Sequence, residues 1–292
     1  MYFNVRIKRI VVLLVCVIVN SFLIFSVLVN RSYALTDSKN IDNDSVKVPI
    51  IMYHSVMKSR KSLGKFVISP NEFESDLKYL KEKSYNTILM SDLIAYTKGE
   101  KDLPENPIML TFDDGYYNNY LYVFPLLKQY ESKIVLAPIG VEVDRYTENE
   151  DRNPGYAHIT WNDAKEMMDS GLVEIQNHSY NMHKISRKRR GTKKNKGESL
   201  DKYKKEFECD IKLMQDKVTE NLGITPTTFV FPFGAISNCS IDILKEMGFL
   251  ATFSCENKIN TIKRSPDSLF GLCRILRPSG ISSESFFKKH LD

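Results

Sequence analysis

From Val48 onward, short apolar runs alternate with helix-patterned stretches, and polar or turn-forming residues that suit a reaction site follow several of the runs. Val48-Pro-Ile-Ile-Met-Tyr-His54 closes on an imidazole, and Pro107-Ile-Met-Leu-Thr-Phe-Asp113-Asp114 closes on two carboxylates. Further runs end at Ile139, Ile175, Phe231 and Phe253; His178 and His183 follow the second of these, and Pro232-Phe233-Gly234 follows the third. Helical patterns fall between them, at about 117–130, 160–170, 200–222 and 240–247, with Gly171 and Gly248 placed to close two of them. Strands that alternate with helices build a parallel sheet covered on both faces, and such strands read as near-continuous apolar runs. Sites in these folds form where the C-terminal strand ends run into loops. Histidines and aspartates scattered over a surface would not gather at those positions.

The first helix is marked in detail. Ser69-Pro70-Asn71-Glu72 has the form of a capping box with Pro at the first helical position, and Phe73, Leu77 and Leu80 then fall on one face. A chain of 292 residues with 42% hydrophobic and 26% charged content is neither disordered nor collagen-like nor a multi-span membrane protein. One segment departs from that average. Ile10 to Val29 is apolar except for Asn20, Ser21 and Ser26, and Arg6, Lys8 and Arg9 precede it. Twenty helical residues span about 30 Å, one bilayer core. The segment reads as an uncleaved anchor or as a signal peptide cleaved after Ala34, with small residues at Ser32 and Ala34; a buried helix is the third reading. In the first two cases the positive flank stays cytoplasmic and the rest faces outward, membrane-anchored at the cell surface or secreted. The expected organisation is 1–35 anchor or signal, 36–46 linker and 47–292 one domain of about 245 residues, the usual size of an α/β barrel.

Charge is uneven. Between Lys184 and Lys196 lie eight basic residues and no acid, against +5 for the whole chain, so the remainder is net negative. The segment reads as a solvated loop or as a patch for an anionic cell-wall polymer. Nucleic acid is not an expected partner, because the segment has no aromatic residue on which a base could stack. Cys16 sits in the apolar segment, and Cys209, Cys239, Cys255 and Cys273 could pair or stay free; none has metal-site spacing.

Asp113-Asp114-Gly115 is on its own an ordinary turn or helix cap. Adjacent strand residues point to opposite sides, so two carboxylates that converge must sit on the turn itself. His178 and His183, five apart, would lie about 140° apart on a helix, which excludes the helical zinc motif. A loop that turns back can bring both to one ion. Two imidazoles and one carboxylate leave a fourth position open for water, as in catalytic zinc sites, and also suit Co2+, Ni2+ or Mn2+.

Thr-Phe-Asp-Asp-Gly at 111–115, His-Ser-x-x-x-His at 178–183 and Phe-Pro-Phe-Gly at 231–234 resemble the signatures of the polysaccharide deacetylases. That is carbohydrate esterase family 4, whose NodB homology domain is a distorted (β/α)7 barrel. The resemblance runs from about Val48 to Gly280. It implies that Asp113 is the general base and that Asp114, His178 and His183 hold the metal. Two departures from the common pattern are visible. The histidines are five apart rather than four, and no Leu-x-His follows Leu272 to supply the general acid. Both are similar to the branch that deacetylates poly-β-1,6-N-acetylglucosamine, in which the equivalent segment is permuted to the start of the barrel. His54 would then be the acid, with His290 as second candidate. The arginine that usually precedes the third motif is missing, and Arg274 or Arg277 would take its place beside Asp113. The resemblance further implies an oxyanion contact near the Tyr116 N–H and substrate contacts from Pro232, Phe233, Gly234 and Arg277, with Phe233 and Trp161 as sugar-stacking rings or simply core. The expected activity is metal-dependent removal of N-acetyl groups from an extracellular N-acetylglucosamine polymer, either the β-1,6 polymer or peptidoglycan. The alternatives are hydrolysis of another amide on the same barrel and non-catalytic carbohydrate binding. Retention of Asp113 argues against the last.

Overall fold

A computed structural model describes residues 45–186 and 189–291. Seven parallel strands dominate it: β1 (Ile50–Tyr53), β2 (Pro107–Asp114), β3 (Ile134–Pro138), β4 (Val173–Ile175), β5 (Thr228–Val230), β6 (Ala251–Phe253) and β7 (Ile275–Leu276). The ladder runs β7-β1-β2-β3-β4, and β5 pairs with β6 separately. Isolated parallel bridges join the two sets at both ends, from Asn177, just past β4, to Phe229, and from Phe253 to Leu272, just before β7. The protein is an α/β fold with a parallel sheet, as its alternating pattern predicts.

Side-chain alternation along β2 explains the two apolar layers. Leu110 and Phe112 pack outward with Phe73, Leu77 and Leu80 of α1 (Pro70–Glu82). Met109 faces the other way, into a cluster with Ile50, Val135, Val230 and Phe253 from four other strands. The α1 cap is the one read from sequence: Glu72 N–H donates to Ser69 Oγ at 3.1 Å, and Ser69 N–H to Glu72 Oε2 at 2.7 Å. The later helices are α2 (Met90–Thr97), α3 (Phe124–Tyr130), α4 (Gly140–Asn149), α5 (Trp161–Asp169), α6 (Leu200–Leu222), α7 (Asn238–Glu246) and α8 (Ser283–Leu291). Tyr203, Phe207, Ile211, Met214, Val218 and Leu222 form the buried stripe of α6, and Gly223, at φ 71°, ends it.

Two expectations are corrected. The 117–130 stretch is not one α-helix: a π-helical turn, Asn119–Val123, precedes α3. Pro125 has no N–H to offer Leu121, and the Asn118 and Asn119 side chains are tied to neighbouring loops. The basic segment is not simply a solvated loop. Arg189 pairs with Glu198 at 2.6 Å and Glu206 at 2.8 Å, Thr192 is buried, and the Lys194 N–H donates to Ser237 Oγ at 2.9 Å. Cys209, Cys239, Cys255 and Cys273 are all free.

Among the described residues no helix is long and apolar enough to cross a membrane. The apolar segment 10–29 with its basic flank, Cys16, the Ser32–Ala34 cleavage positions, the 36–44 linker, Arg187 and Lys188 lie outside the described residues.

Candidate active site

The end of β2 organises the site. Thr111 and Asp113 continue the inward face begun by Met109, so the Asp113 carboxylate enters the strand-lined interior. Arg274 meets it there in a two-pronged pair, Nη1 to Oδ1 at 2.6 Å and Nη2 to Oδ2 at 2.8 Å. Arg274 is itself wholly buried, and its Nε donates to Ser254 O at 2.9 Å. Burial pushes the Asp113 carboxyl up, but Arg274, then His178 and His54, outweigh burial and hold it below the usual range.

Asp114 would face the opposite side if the strand continued. It does not: Asp114 at φ 71° and Gly115 at φ 75° turn the chain into the left-handed region, returning the second carboxylate to the same cleft. A side chain at 115 is excluded twice, by that φ and because a Cβ would come within 2.5 Å of Pro138 Cβ.

The histidine loop needs a different device. Ser179 takes φ 69°, with its N–H donating to Asn177 Oδ1 at 2.9 Å. Asp210 on α6 then accepts the N–H groups of Tyr180 and Asn181, both at 2.9 Å, which folds the loop back on itself. His178 Nε2 and His183 Nε2 consequently lie 3.6 and 3.3 Å from Asp114 Oδ1. His178 Nδ1 is 2.8 Å from Val230 O; a carbonyl only accepts, so Nδ1 carries a proton, and in the neutral ring that leaves Nε2 as the atom able to ligate. Burial and the nearby His178 push His183 down to about 4, leaving it neutral, the form that ligates. Burial raises the Asp114 carboxyl, but His178, His54 and His183 outweigh it and hold it well below the carboxylate range.

One ligand atom from each of Asp114, His178 and His183 lies within 4.8 Å of the others, and Asp114 Oδ1 is buried with no hydrogen-bond partner. Three ligand atoms converging this closely fit a divalent cation, and the N,N,O set suits the first-row metals. Asp210→Ala, which removes the carboxylate under the loop, is expected to weaken metal affinity about tenfold or more. Competition against a chelating dye measures this, and an unchanged affinity with the fold intact would show that the loop holds its shape alone.

His54, just past the end of β1, lies beside Asp113, Nε2 to Oδ2 at 3.9 Å. Asn119 Nδ2 holds its backbone carbonyl at 2.8 Å, and the Phe66 ring packs edge-on at 4.9 Å. Burial lowers its pKa, with Asp113 and Asp114 acting in the opposite sense. The cleft has a volume of about 660 Å3 and is lined by Tyr116 and Phe233 together with the aspartates, histidines and Arg274. Phe233 lies 4.3 Å from the His183 ring.

Several expected residues are elsewhere. Arg277 is buried on Asp76, with Nη2 to Oδ1 at 3.0 Å, and does not line the cleft. The choice between the two arginines thus falls on Arg274. Pro232 and Gly234 shape the turn behind Phe233 without lining the cleft themselves. Trp161 is core, its Nε1 donating to Asp144 at 2.8 Å, and His290 packs on Phe286 of α8, outside the cleft. Phe66, Lys65, Arg190 and Cys255 line the cleft although no motif marks them; three of the four sit on loops whose path only tertiary contacts set, and the basic run is the one sequence signal, for Arg190.

The polysaccharide deacetylase family model matches residues 100–252, which contain both aspartates, both histidines and the Phe231–Gly234 turn. The poly-beta-1,6-N-acetyl-D-glucosamine N-deacetylase of Escherichia coli is 26% identical over 228 residues, covering 71% of this chain and 34% of that protein. The chain therefore spans about a third of that relative's length. The Staphylococcus aureus protein of the same name is 24% identical over 262 residues, covering 82% of this chain and 86% of its own. A solved de-N-acetylase from Aggregatibacter actinomycetemcomitans superposes with a TM-score of 0.68 at 28% identity, covering 82% of this chain and 96% of that one.

Proposed function

The chain belongs to the polysaccharide deacetylase family, and from that premise we propose that it removes N-acetyl groups from an extracellular N-acetylglucosamine polymer. The β-1,6-linked polymer is the one named for the relatives. One observation carries the reading: an ionised, arginine-held carboxylate, a three-donor metal site and an imidazole converge on one cleft. The seven strands and the two bridges that link their ends support a distorted (β/α)7 barrel as the scaffold.

Amide hydrolysis needs an activated water, a place for negative charge and a proton for a poor leaving group. A divalent ion, most simply zinc, held by Asp114, His178 and His183, acidifies water and polarises the acetyl carbonyl when bound. Asp113 takes the water proton at a carboxylate oxygen, and Arg274 keeps it ionised so that it can do so. The Tyr116 backbone N–H is the donor we assign to the developing oxyanion. His54 Nε2, beside Asp113 in the same cleft, delivers a proton to the sugar nitrogen as the C–N bond breaks, leaving acetate and a glucosamine residue. Phe233 offers its ring to a sugar face. The apolar run 10–29 and its basic flank support, in this reading, a domain (47–292) that faces outward, anchored or released after Ala34, and nucleic acid is not a proposed partner.

The full chain, in detergent, is expected to release acetate from the β-1,6 polymer and to stop when chelated. The His178→Ala, His183→Ala double variant should hold no stoichiometric zinc by elemental analysis. Acetate from peptidoglycan alone would move the polymer assignment; acetate from neither, by a metal-loaded protein, would end the deacetylase reading.

A further inference from the structure

One of the chain's five histidines, His158, is buried close to the reacting groups and has no part in the hydrolytic chemistry. Its Nδ1 has no hydrogen-bond partner, and it does not line the cleft. Its backbone forms an antiparallel bridge with Tyr116. Tyr117 N–H donates to Ala157 O at 2.8 Å and Ile159 N–H to Gly115 O at 2.9 Å, so the bonds lie on either side of the Tyr116–His158 pair. Residues paired in that register exchange no backbone bonds with each other, and their side chains come close.

The bridge fixes a direction. The Gly115–Tyr116 peptide is trans and planar, so with its carbonyl on Ile159 its N–H must point the opposite way, away from residues 157–159. The Tyr116 carbonyl accepts the Asn119 N–H at 2.9 Å, which leaves the Tyr116 N–H without a partner across the bridge. The Tyr116 and His158 rings stack, with centroids 4.8 Å apart and planes at 30°. His158 also stacks with Tyr146 of α4, at 5.5 Å and 29°. That helix begins on the histidine loop, where Gly140 N–H donates to Ser179 O at 3.1 Å and Val141 N–H to Tyr180 O at 2.8 Å. One helix therefore touches both the loop that brings His183 back to His178 and the ring stacked on Tyr116. Burial pushes the His158 imidazole down, so the stacked ring is neutral.

We infer that His158 is a positioning residue: stacked between Tyr116 and Tyr146, it clamps the bridge that aims the Tyr116 N–H at the oxyanion. This rests on the deacetylase reading and on Tyr116 as the donor. A donor stabilises developing charge to the extent that it is held in place beforehand. Here the close approach of Gly115 to Pro138 holds the donor's peptide from one strand, and the His158 stack holds it from the 157–159 segment. The stack also ties the donor through α4 to the histidine loop, so that one scaffold carries the two groups that must meet the same acetyl oxygen.

The test uses the metal-loaded full chain, β-1,6-linked N-acetylglucosamine oligomers, and a methylphosphonamidate of glucosamine whose tetrahedral phosphorus copies the attacked acetyl carbon. His158→Ala should keep its metal and its KM and lose about tenfold in kcat, a part of the 10²–10³-fold that losing such a donor outright costs. Affinity for the phosphonamidate should fall by a similar factor. His158→Phe keeps a neutral planar ring and drops the unpartnered Nδ1, so it should recover most of the loss. His158→Leu fills the space without a ring and should not; it stands in if His158→Ala does not fold. A parental kcat in His158→Leu, a loss carried by KM or by metal content, or a His158→Phe as slow as His158→Ala overturns the inference. The Tyr116 amide resonance supplies a readout without turnover. Binding of the phosphonamidate should move it downfield in the parent and in His158→Phe, and much less in His158→Ala or His158→Leu. A parent resonance that stays in place also overturns the inference. If the parent releases no acetate the deacetylase reading has failed, and the resonance still decides whether His158 holds the donor.

Discussion

Asp113→Asn keeps its divalent metal and loses turnover by about 10²–10⁴-fold, the usual cost of removing a general base. The amide preserves shape and leaves Asp114, His178 and His183 untouched, so metal content separates the roles of the two neighbouring carboxylates. It also leaves the buried Arg274 without a counter-charge, so a lowered Tm should accompany the loss of rate. Stoichiometric metal with near-parental turnover would reassign the base. His54→Ala is the companion measurement. It should likewise retain metal and lose rate, because a departing amine needs a proton. The basic limb of the pH–rate profile reports deprotonation of the acid, and burial places that limb below the ordinary imidazole value. If His54→Ala matched the parent across the range where an imidazole titrates (roughly pH 5–8), the acid would have to be sought elsewhere.

Arg274→Gln has the largest expected effect on stability. Arg274 and Asp113 are both buried and joined by two hydrogen bonds. Removing one partner strands a buried charge, typically at about 3–5 kcal/mol. The kinetic consequence has a definite sign. Burial, which raises the Asp113 pKa, remains, while the strongest group lowering it is gone. The carboxyl then titrates higher, the base is protonated over more of the working range, and the acidic limb of the pH–rate profile moves to higher pH. Rate should be partly recovered by raising the pH. The stability deficit runs the same way: a folded-state pKa raised above its unfolded value makes the variant lose stability as pH rises between the two, so its deficit against the parent shrinks towards acid. Denaturant melts at two pH values and a pH–rate profile check both. An unmoved acidic limb with unchanged stability would mean that the pair neither tunes the base nor holds the fold.

The sequence alone determined the parallel α/β architecture, because strands buried on both faces must be apolar throughout and helices between them must carry a stripe. It placed His54, Asp113, Asp114, His178 and His183 at strand ends, and those five do meet. The α1 capping box and the bounds of α6 were legible for a related reason: caps and stripes are local, set by residues three or four apart. Short elements were not legible. The eight residues of α2 and the two of β7 are too few for a periodic signal, and the π-turn at 119–123 depends on asparagine side chains engaged by distant loops. Arg274 and Arg277 looked equivalent, three residues apart on either side of β7. Only packing set one on Asp113 and the other on Asp76, since which side of a two-residue strand faces the interior is fixed by the neighbours it pairs with. The turn of Asp114 into the cleft was foreseeable as a need, while the φ that meets it is imposed by the close approach of Gly115 to Pro138 on the next strand. The basic run is divided in the same way: Arg189 and Arg190 are alike in sequence, and only the fold brings up Glu198 and Glu206 to fasten the one while the other lines the cleft.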